Sequence, residues 1–255
     1  MNKLRAVLLS GVFLLMIAAP RAHGQTVEDI IAKHIEALGG KEKLQSIHSV
    51  YLEGVAVMQN GAEIDSKTWK VKDKLYRQEI TTPMGNIVVI VTPQKGWSLN
   101  PRSGGSYAPL PDEQLKTMQS QLDPAGPFVD YVAKGSKAEL LGKDTIGGKE
   151  CYKIRLTPAS GQPITYSLDV QTYYILRETR KGGGTMGGGG GGGGGHRGGN
   201  ADGEFNIDFG DYQKTTDGYV FPYTIITGSF GAKTSVEKLE VNKPVDDATL
   251  SKPGN

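Results

Sequence analysis

Strand-forming segments separated by turn signals fill most of the chain from Ser49 onward, and this pattern limits the fold more than any other sequence feature. Asn60-Gly61 and Asp217-Gly218 favour two-residue hairpin turns, and prolines separate several of the other segments. The pattern predicts strands at residues 49–59, 62–72, 74–81, 85–92, 95–100, 137–147, 149–158, 163–169, 173–181, 203–214, 218–228 and 229–241. Turn-linked strands of this kind predict an antiparallel meander and a mainly β fold.

Two regions predict helices. Residues 26–38 place apolar side chains at helical spacing behind Thr26, which can cap the helix, and Gly39-Gly40 then ends it. A second short helical turn is predicted at 42–47. Residues 112–133 interrupt the strand pattern and predict two short helices, inserted in the sheet or covering it.

The N-terminus has the parts of a secretory signal peptide. Lys3 and Arg5 precede an apolar run from Ala6 to Ala19, which is shorter than the roughly 20 residues that a bilayer span requires. A small-residue exit at Ala22-His23-Gly24 predicts cleavage before Gln25. The alternative is a retained N-terminal anchor.

Three segments follow from this assignment. We expect 1–24 to be the signal peptide, 25–241 a single domain, and 242–255 a C-terminal tail. No cysteine directly follows the apolar run to accept a lipid anchor, so we expect a periplasmic protein with no transmembrane segment after cleavage.

The charge balance argues against nucleic acid as a partner. Loss of the signal peptide removes three basic residues, which leaves 26 of the chain's 29 against 27 acidic residues. A chain so near neutrality, with no basic stretch, lacks the electrostatic footprint for nucleic acid or an anionic membrane face.

A glycine tract divides the last third of the chain. Residues 182–200 contain fourteen glycines, nine of them consecutive from Gly187 to Gly195. A stretch with so little apolar surface is expected to be a flexible loop between strands 173–181 and 203–214.

The residues that catalysis requires are scarce. Only His34 and His48 lie outside the signal peptide and the glycine tract, and no carboxylate accompanies them at metal-ligand spacing. Ser160 is not in a nucleophile elbow, and Glu150 stands where a phosphate loop would have a hydroxyl. We predict no catalytic residues, no metal and no cofactor, with a hydrolase of unrecognised site as the open alternative.

Some strands are apolar on both faces, as in Ile87–Val91. A sheet of this kind must be covered on both sides. Either helices fill the second side, or the curved sheet encloses a cavity for an apolar ligand. The pattern alone favours the filled core.

Several segments resemble the LolA/LolB/LppX superfamily of periplasmic lipoprotein carriers, in particular the bacterial outer membrane lipoprotein-sorting relatives. Residues 69–76 (WKVKDKLY) resemble a strand of the family that carries an aromatic residue and leads to a leucine followed directly by another aromatic residue. Residues 96–101 (GWSLNP) are similar to the family's Trp-x-x-Asn-Pro segment. Residues 217–222 (DGYVFP) resemble a hairpin of these relatives. The order of helix, Gly-Gly, meander, covering helices and second meander matches as well.

The resemblance implies a curved antiparallel half-barrel covered by short α-helices, with a cavity that shields lipoprotein or lipid acyl chains from water. Lys72 stands where the lipoprotein carrier has a cavity arginine, and lysine lacks the same planar fork of donors. A second interpretation is therefore that the ligand is another lipid or a hydrophobic peptide.

This interpretation yields specific candidate residues. The expected cavity lining is Leu52, Trp69, Lys72, Ile87, Val89, Trp97 and Phe221, and the expected lid residues are Leu115, Met118, Leu122 and Phe128. The alternative is a non-catalytic envelope sensor or protein-binding module with a filled core, which recognises envelope proteins through its sheet edge or glycine tract.

Overall fold

The structure, a computed structural model, describes residues 25–57, 61–181, 204–227 and 232–251. The expected signal peptide, the glycine tract and Asn60 of the first predicted hairpin turn lie outside the described residues.

The N-terminal helices form where local signals place them. Helix α1 spans Val27–Ala37, and α2 spans Lys41–Gln45. Thr26 and Asp29 form a capping box, in which each side chain accepts a 3.2 Å hydrogen bond from the other residue's backbone N–H. Gly39 and Gly40 separate the helices with φ values of +122° and +93°, which glycine adopts at little cost.

The described strands form one antiparallel sheet of 13 strands. In chain order they are β1 (Ser49–Val57), β2 (Glu63–Val71), β3 (Leu75–Thr82), β4 (Gly85–Val91), β5 (Gly96–Leu99), β6 (Tyr107–Pro109), β7 (Lys137–Ile146), β8 (Lys149–Thr157), β9 (Ile164–Asp169), β10 (Ile175–Lys181), β11 (Glu204–Lys214), β12 (Val220–Thr227) and β13 (Ala232–Val241). The predicted antiparallel meander is confirmed. Strand β6 was not predicted, because its three residues are too few for a periodic signal.

Two meanders meet in the middle of the sheet. Strands β1 to β6 run outward to one edge, β7 to β13 run inward from the other, and β1 pairs with β13. Because β6 and β7 remain as edges, the curved sheet is not closed, and the predicted half-barrel covered by short helices is confirmed.

Residues 110–136, here called the crossing segment, connect the two edge strands over the concave face. They contain α3 (Asp112–Met118) and a 3₁₀ turn at Gln119–Leu122. Turns follow this 3₁₀ turn, so the second predicted helix within 112–133 is absent. Pro124 and Pro127 flank Gly126 at φ +95°, and a helix does not continue through this sequence.

Contacts along the crossing segment pass from one side of the sheet to the other. Met118 and Leu122 pack on Tyr76 and Val89 of β3 and β4. Ala125 and Val129 then pack on β1 and β13, and Phe128 packs on β8 and β9 together with α1. The segment therefore covers the concave face as a strap, with its ends at opposite edges.

The convex face has a smaller apolar cluster. Val88 and Ile90 point to this side and pack with Leu75 and Trp97. Leu250 contacts the same cluster from the short helix α4 (Asp247–Leu250) in the expected tail, so this part of the tail docks on the sheet.

Candidate functional site

A cavity of about 970 Å³ lies between the concave face and the crossing segment. This volume is near the upper end of the roughly 300–1,000 Å³ typical of small-molecule sites. The filled core that the sequence pattern favours is therefore wrong for this part of the molecule. The apolar wall comes from seven strands: Leu52, Ala56, Ile64, Ile80, Ile87, Ile207, Phe209, Ile225 and Val236.

Alternation along each strand decides which side chains reach the cavity. In β2 the wall residues are Ile64, Ser66, Thr68 and Lys70, every second position. The crossing segment closes the opposite side with residues between Ser120 and Pro127.

Two of the seven expected lining residues, Leu52 and Ile87, lie on the cavity wall. Trp69 points to the other face of β2, where its ring lies 5.0 Å from that of Tyr51. Trp97 belongs to the convex cluster. The motifs that contain these tryptophans do not indicate which face of the sheet the rings occupy.

Three expected lining residues lie outside the wall for other reasons. Val89 is on the concave face, but α3 and the 3₁₀ turn cover it. Phe221 is likewise covered by the cluster that contains Ala125 and Val129. Lys72 follows the end of β2 and donates its backbone N–H to His48 O at 2.9 Å, and its side chain does not line the cavity.

The expected lid residues all pack against the sheet. Leu115, Met118 and Leu122 belong to one cluster, which is formed on Tyr76 and Val89. Phe128 is 1% exposed and packs on α1 and β8 to β9. These residues hold the crossing segment in place, whereas its segment 120–127 faces the cavity.

A polar cluster that sequence analysis did not identify lies on the cavity wall. It consists of Lys70, Tyr76, Tyr166, Glu178 and Arg180, here called the polar cluster. Tyr76 is the direct cross-strand partner of Lys70, and Glu178 is that of Tyr166. Strand alternation could have placed Lys70 on the same face as Ile64, but only the folded sheet brings the two pairs together.

Lys70 is the cation of this cluster without an ion-pair partner among the described residues. Its Nζ donates to Gln121 Oε1 of the crossing segment at 2.8 Å and lies 6.0 Å from the centre of the Tyr76 ring. Burial, assisted by the Arg180 charge, lowers the pKa of Lys70 to about 8, although Glu178 and Asp123 oppose the shift. The ammonium form still predominates at pH 7.

The other members of the polar cluster are an ion pair and two protonated tyrosines. Arg180 Nε donates to Glu178 in an ion pair whose side chains are 18% and 10% exposed. Burial raises the pKa of Tyr76 and of Tyr166, so both hydroxyls keep their protons. The cluster thus carries two cations and one carboxylate.

His34 is a buried residue of α1 outside the cavity. Its Nδ1 donates to Tyr173 O at 2.8 Å, and its ring packs edge-on against Phe128 at 5.3 Å. Burial lowers the pKa of His34 to about 4, although the hydrogen bond to Tyr173 acts in the opposite direction. The imidazole is neutral at pH 7 and links α1 to the β9–β10 turn.

Neither a metal cluster nor a membrane helix is found in the described part of the chain. No three His, Cys, Asp or Glu side chains there are grouped so that they could hold a metal ion. Its helices are too short or too polar to cross a bilayer.

Comparison with known proteins identifies the fold. No family model and no curated protein matches the sequence. A LolA superfamily protein from Nitrosomonas europaea is 13% identical, over 90% of this chain and 99% of its own, with a TM-score of 0.53. A DUF1329 family protein from Desulfovibrio piger is 14% identical, over 89% of this chain and 98% of its own, with a TM-score of 0.54. The chain has a LolA-like fold.

Proposed function

We propose that this protein is a non-catalytic periplasmic carrier that holds a lipid or lipoprotein acyl chain in the cavity of its half-barrel. The observation that carries the proposal is the cavity of about 970 Å³, whose wall is formed largely by aliphatic side chains of seven strands. An acyl chain gains about 0.8 kcal/mol for each methylene that it buries. A cavity of this size and lining gives it a place to do so.

The crossing segment supplies the cover that a carrier requires. It is attached to the sheet mainly by apolar packing of Met118, Leu122 and Phe128, and by the contact of Lys70 with Gln121. Packing of this kind breaks and re-forms without covalent chemistry, so a ligand can enter and leave when the segment moves. The signal peptide predicted at residues 1–24 supports the periplasmic location.

Uptake of an acyl probe by the delipidated full chain tests the proposal. We expect saturable binding of a fluorescent fatty acid and its displacement by unlabelled palmitate. Native mass spectrometry of protein purified from the host periplasm should show a co-purifying acylated species, which organic extraction releases. Failure of the delipidated protein to take up any acyl probe would contradict the carrier function.

A further inference from the structure

The polar cluster has more hydrogen-bond donors than the protein satisfies. The Lys70 ammonium has three N–H groups, of which one reaches Gln121. Arg180 uses Nε for Glu178, and its Nη groups bond to no described residue. The Tyr76 and Tyr166 hydroxyls also lack a partner among the described residues, although these side chains are only 1% and 3% exposed.

These unpartnered hydroxyls are not sealed in the protein interior. No fully buried side-chain polar atom of the described residues lacks a hydrogen-bond partner, so both hydroxyls must reach open space. Both residues line the cavity, and their open space is the cavity. Donors that face a largely apolar cavity are available to a ligand that carries hydrogen-bond acceptors.

Sheet curvature brings these donors to one place. Lys70 and Tyr76 are on β2 and β3, whereas Tyr166 and Arg180 are on β9 and β10, with four strands between β2 and β10. In a flat sheet β2 and β10 would be about 24 Å apart. In the folded protein all four side chains line the same cavity, so they converge across the concave face. The Arg180 charge also acts on the pKa of Lys70 and of both tyrosines, which agrees with this arrangement.

Each acid on the wall is paired with a cation other than Lys70. Glu53 accepts from Tyr51 and pairs with Lys67, and Asp123 pairs with Lys134. Glu178 is engaged by Arg180. The polar cluster therefore keeps one uncompensated positive charge beside an apolar chamber, which is the environment that favours an anionic group attached to an acyl chain.

We propose that the ligand is an anionic amphiphile whose carboxylate or phosphate binds between Lys70 and Arg180, with the two tyrosine hydroxyls as further donors, while its chain occupies the apolar cavity. This inference rests on the proposed carrier function and specifies its cargo. A free fatty acid and a lysophospholipid present the same chemistry to the cluster.

Affinity measurements on the full chain separate head-group recognition from chain burial. The probes are palmitate, methyl palmitate, palmitylamine and palmitoyl lysophosphatidic acid, measured by displacement of a fluorescent fatty acid. Wild-type protein should bind the better of the two anions about 10- to 100-fold more tightly than the neutral ester, as expected for hydrogen bonds to a charged group. The amine should bind most weakly. The relative affinities of palmitate and the lysophosphatidic acid distinguish a carboxylate from a phosphate head group.

Matched lysine variants provide the control. Lys70→Met should remove most of the difference in affinity between the anion and methyl palmitate, and Lys70→Arg should retain that difference. Lys72→Met removes the same charge two residues away, outside the cavity wall, and should bind all probes as the wild type does. Circular dichroism and thermal unfolding confirm that each variant is folded.

The outcomes are distinct. If the ester binds as well as both anions, or if Lys70→Met retains the anion preference, the head-group inference is overturned and the carrier function stands. If no acyl probe binds the wild-type protein, both proposals fail.

Discussion

Lys70, and not Lys72, is the lysine on the cavity wall, because β2 ends between the two residues. Both lysines lie shortly before the adjacent pair Leu75 and Tyr76. The family resemblance favours Lys72 as the counterpart of the carrier's cavity arginine. The strand ends at Val71, so Lys72 lies in the turn, where period-two alternation no longer determines its direction. Lys70 is within the strand and opposite Tyr76, and its direction is fixed by pairing on both sides.

His34 makes stability depend on pH. The unfolded chain binds a proton at this residue near pH 6.5, whereas the folded protein binds it only near pH 4. Between these values the unfolded state holds more protons, so a falling pH favours unfolding. The neutral, buried His34 contributes fully to the free energy of unfolding above pH 6.5. This contribution, up to about 3 kcal/mol, is lost as the pH falls toward 4.

Substitution of His34 tests this assignment. His34→Asn keeps a donor near Tyr173 O but does not titrate, so we expect its free energy of unfolding to fall less steeply between pH 6.5 and 4.5 than that of the wild type. Urea unfolding across this range measures the difference. Equal slopes for the wild type and His34→Asn would show that His34 does not titrate as described.

At the scale of elements, the crossing segment is the part of the fold best placed to move. Strands β1 to β13 are fixed to neighbours by ladders of backbone hydrogen bonds, while the crossing segment is held mostly by side-chain packing. A further link is the 3.1 Å hydrogen bond from Asp73 N in the β2–β3 turn to Leu122 O. Segments with few backbone links to the rest of a fold open at the lowest free-energy cost.

Truncation of Leu122 should loosen this segment selectively. Leu122→Ala removes side-chain contacts with Tyr76 and Val89, a loss of about 2–5 kcal/mol for a buried leucine. We expect hydrogen exchange to accelerate in residues 112–123 while β8 and β9 keep their protection. Val132→Ala, at a site that is 68% exposed on the same segment, should leave exchange unchanged. A uniform loss of protection over the whole sheet would contradict independent docking of the segment.

At the scale of the whole molecule, curvature of the sheet determines that a cavity exists. The concave face of a long curved sheet is wider than one connecting segment can fill, and α1, α2 and the crossing segment pack only on parts of it. The remaining space is bounded by strands from both meanders, β1 to β4 on one side and β9 to β13 on the other. Neither meander encloses it alone.

Filling the cavity should abolish binding without unfolding the protein. Ala56 lies on the wall between Ile64 and Thr234, and Ala56→Trp would place an indole in the open space. We expect acyl-probe affinity to fall by at least about tenfold, while thermal stability stays equal or rises because apolar surface is buried. Val57→Trp, on the opposite face at a position that is 45% exposed, should bind as the wild type does. Unchanged probe affinity in Ala56→Trp would place the ligand elsewhere.

Local signals in the sequence predict most of the helices and strands. Strand positions, the capping box at Thr26 and the turns between strands follow from signals a few residues long, and local geometry satisfies them without help from the rest of the chain. Alternation also indicates that residues two apart share a face. Resemblance to a known superfamily then supplied the half-barrel architecture.

The position of the site follows from the three-dimensional fold. Both faces of strands such as β4 are apolar, so alternation alone could not identify the concave one, and Trp69 and Trp97 were expected on the wrong side. Lys70 and Arg180 are more than a hundred residues apart in the sequence and line one cavity because the sheet curves. Curvature and the path of the crossing segment depend on the packing of all the strands together, and no local pattern in the chain encodes them.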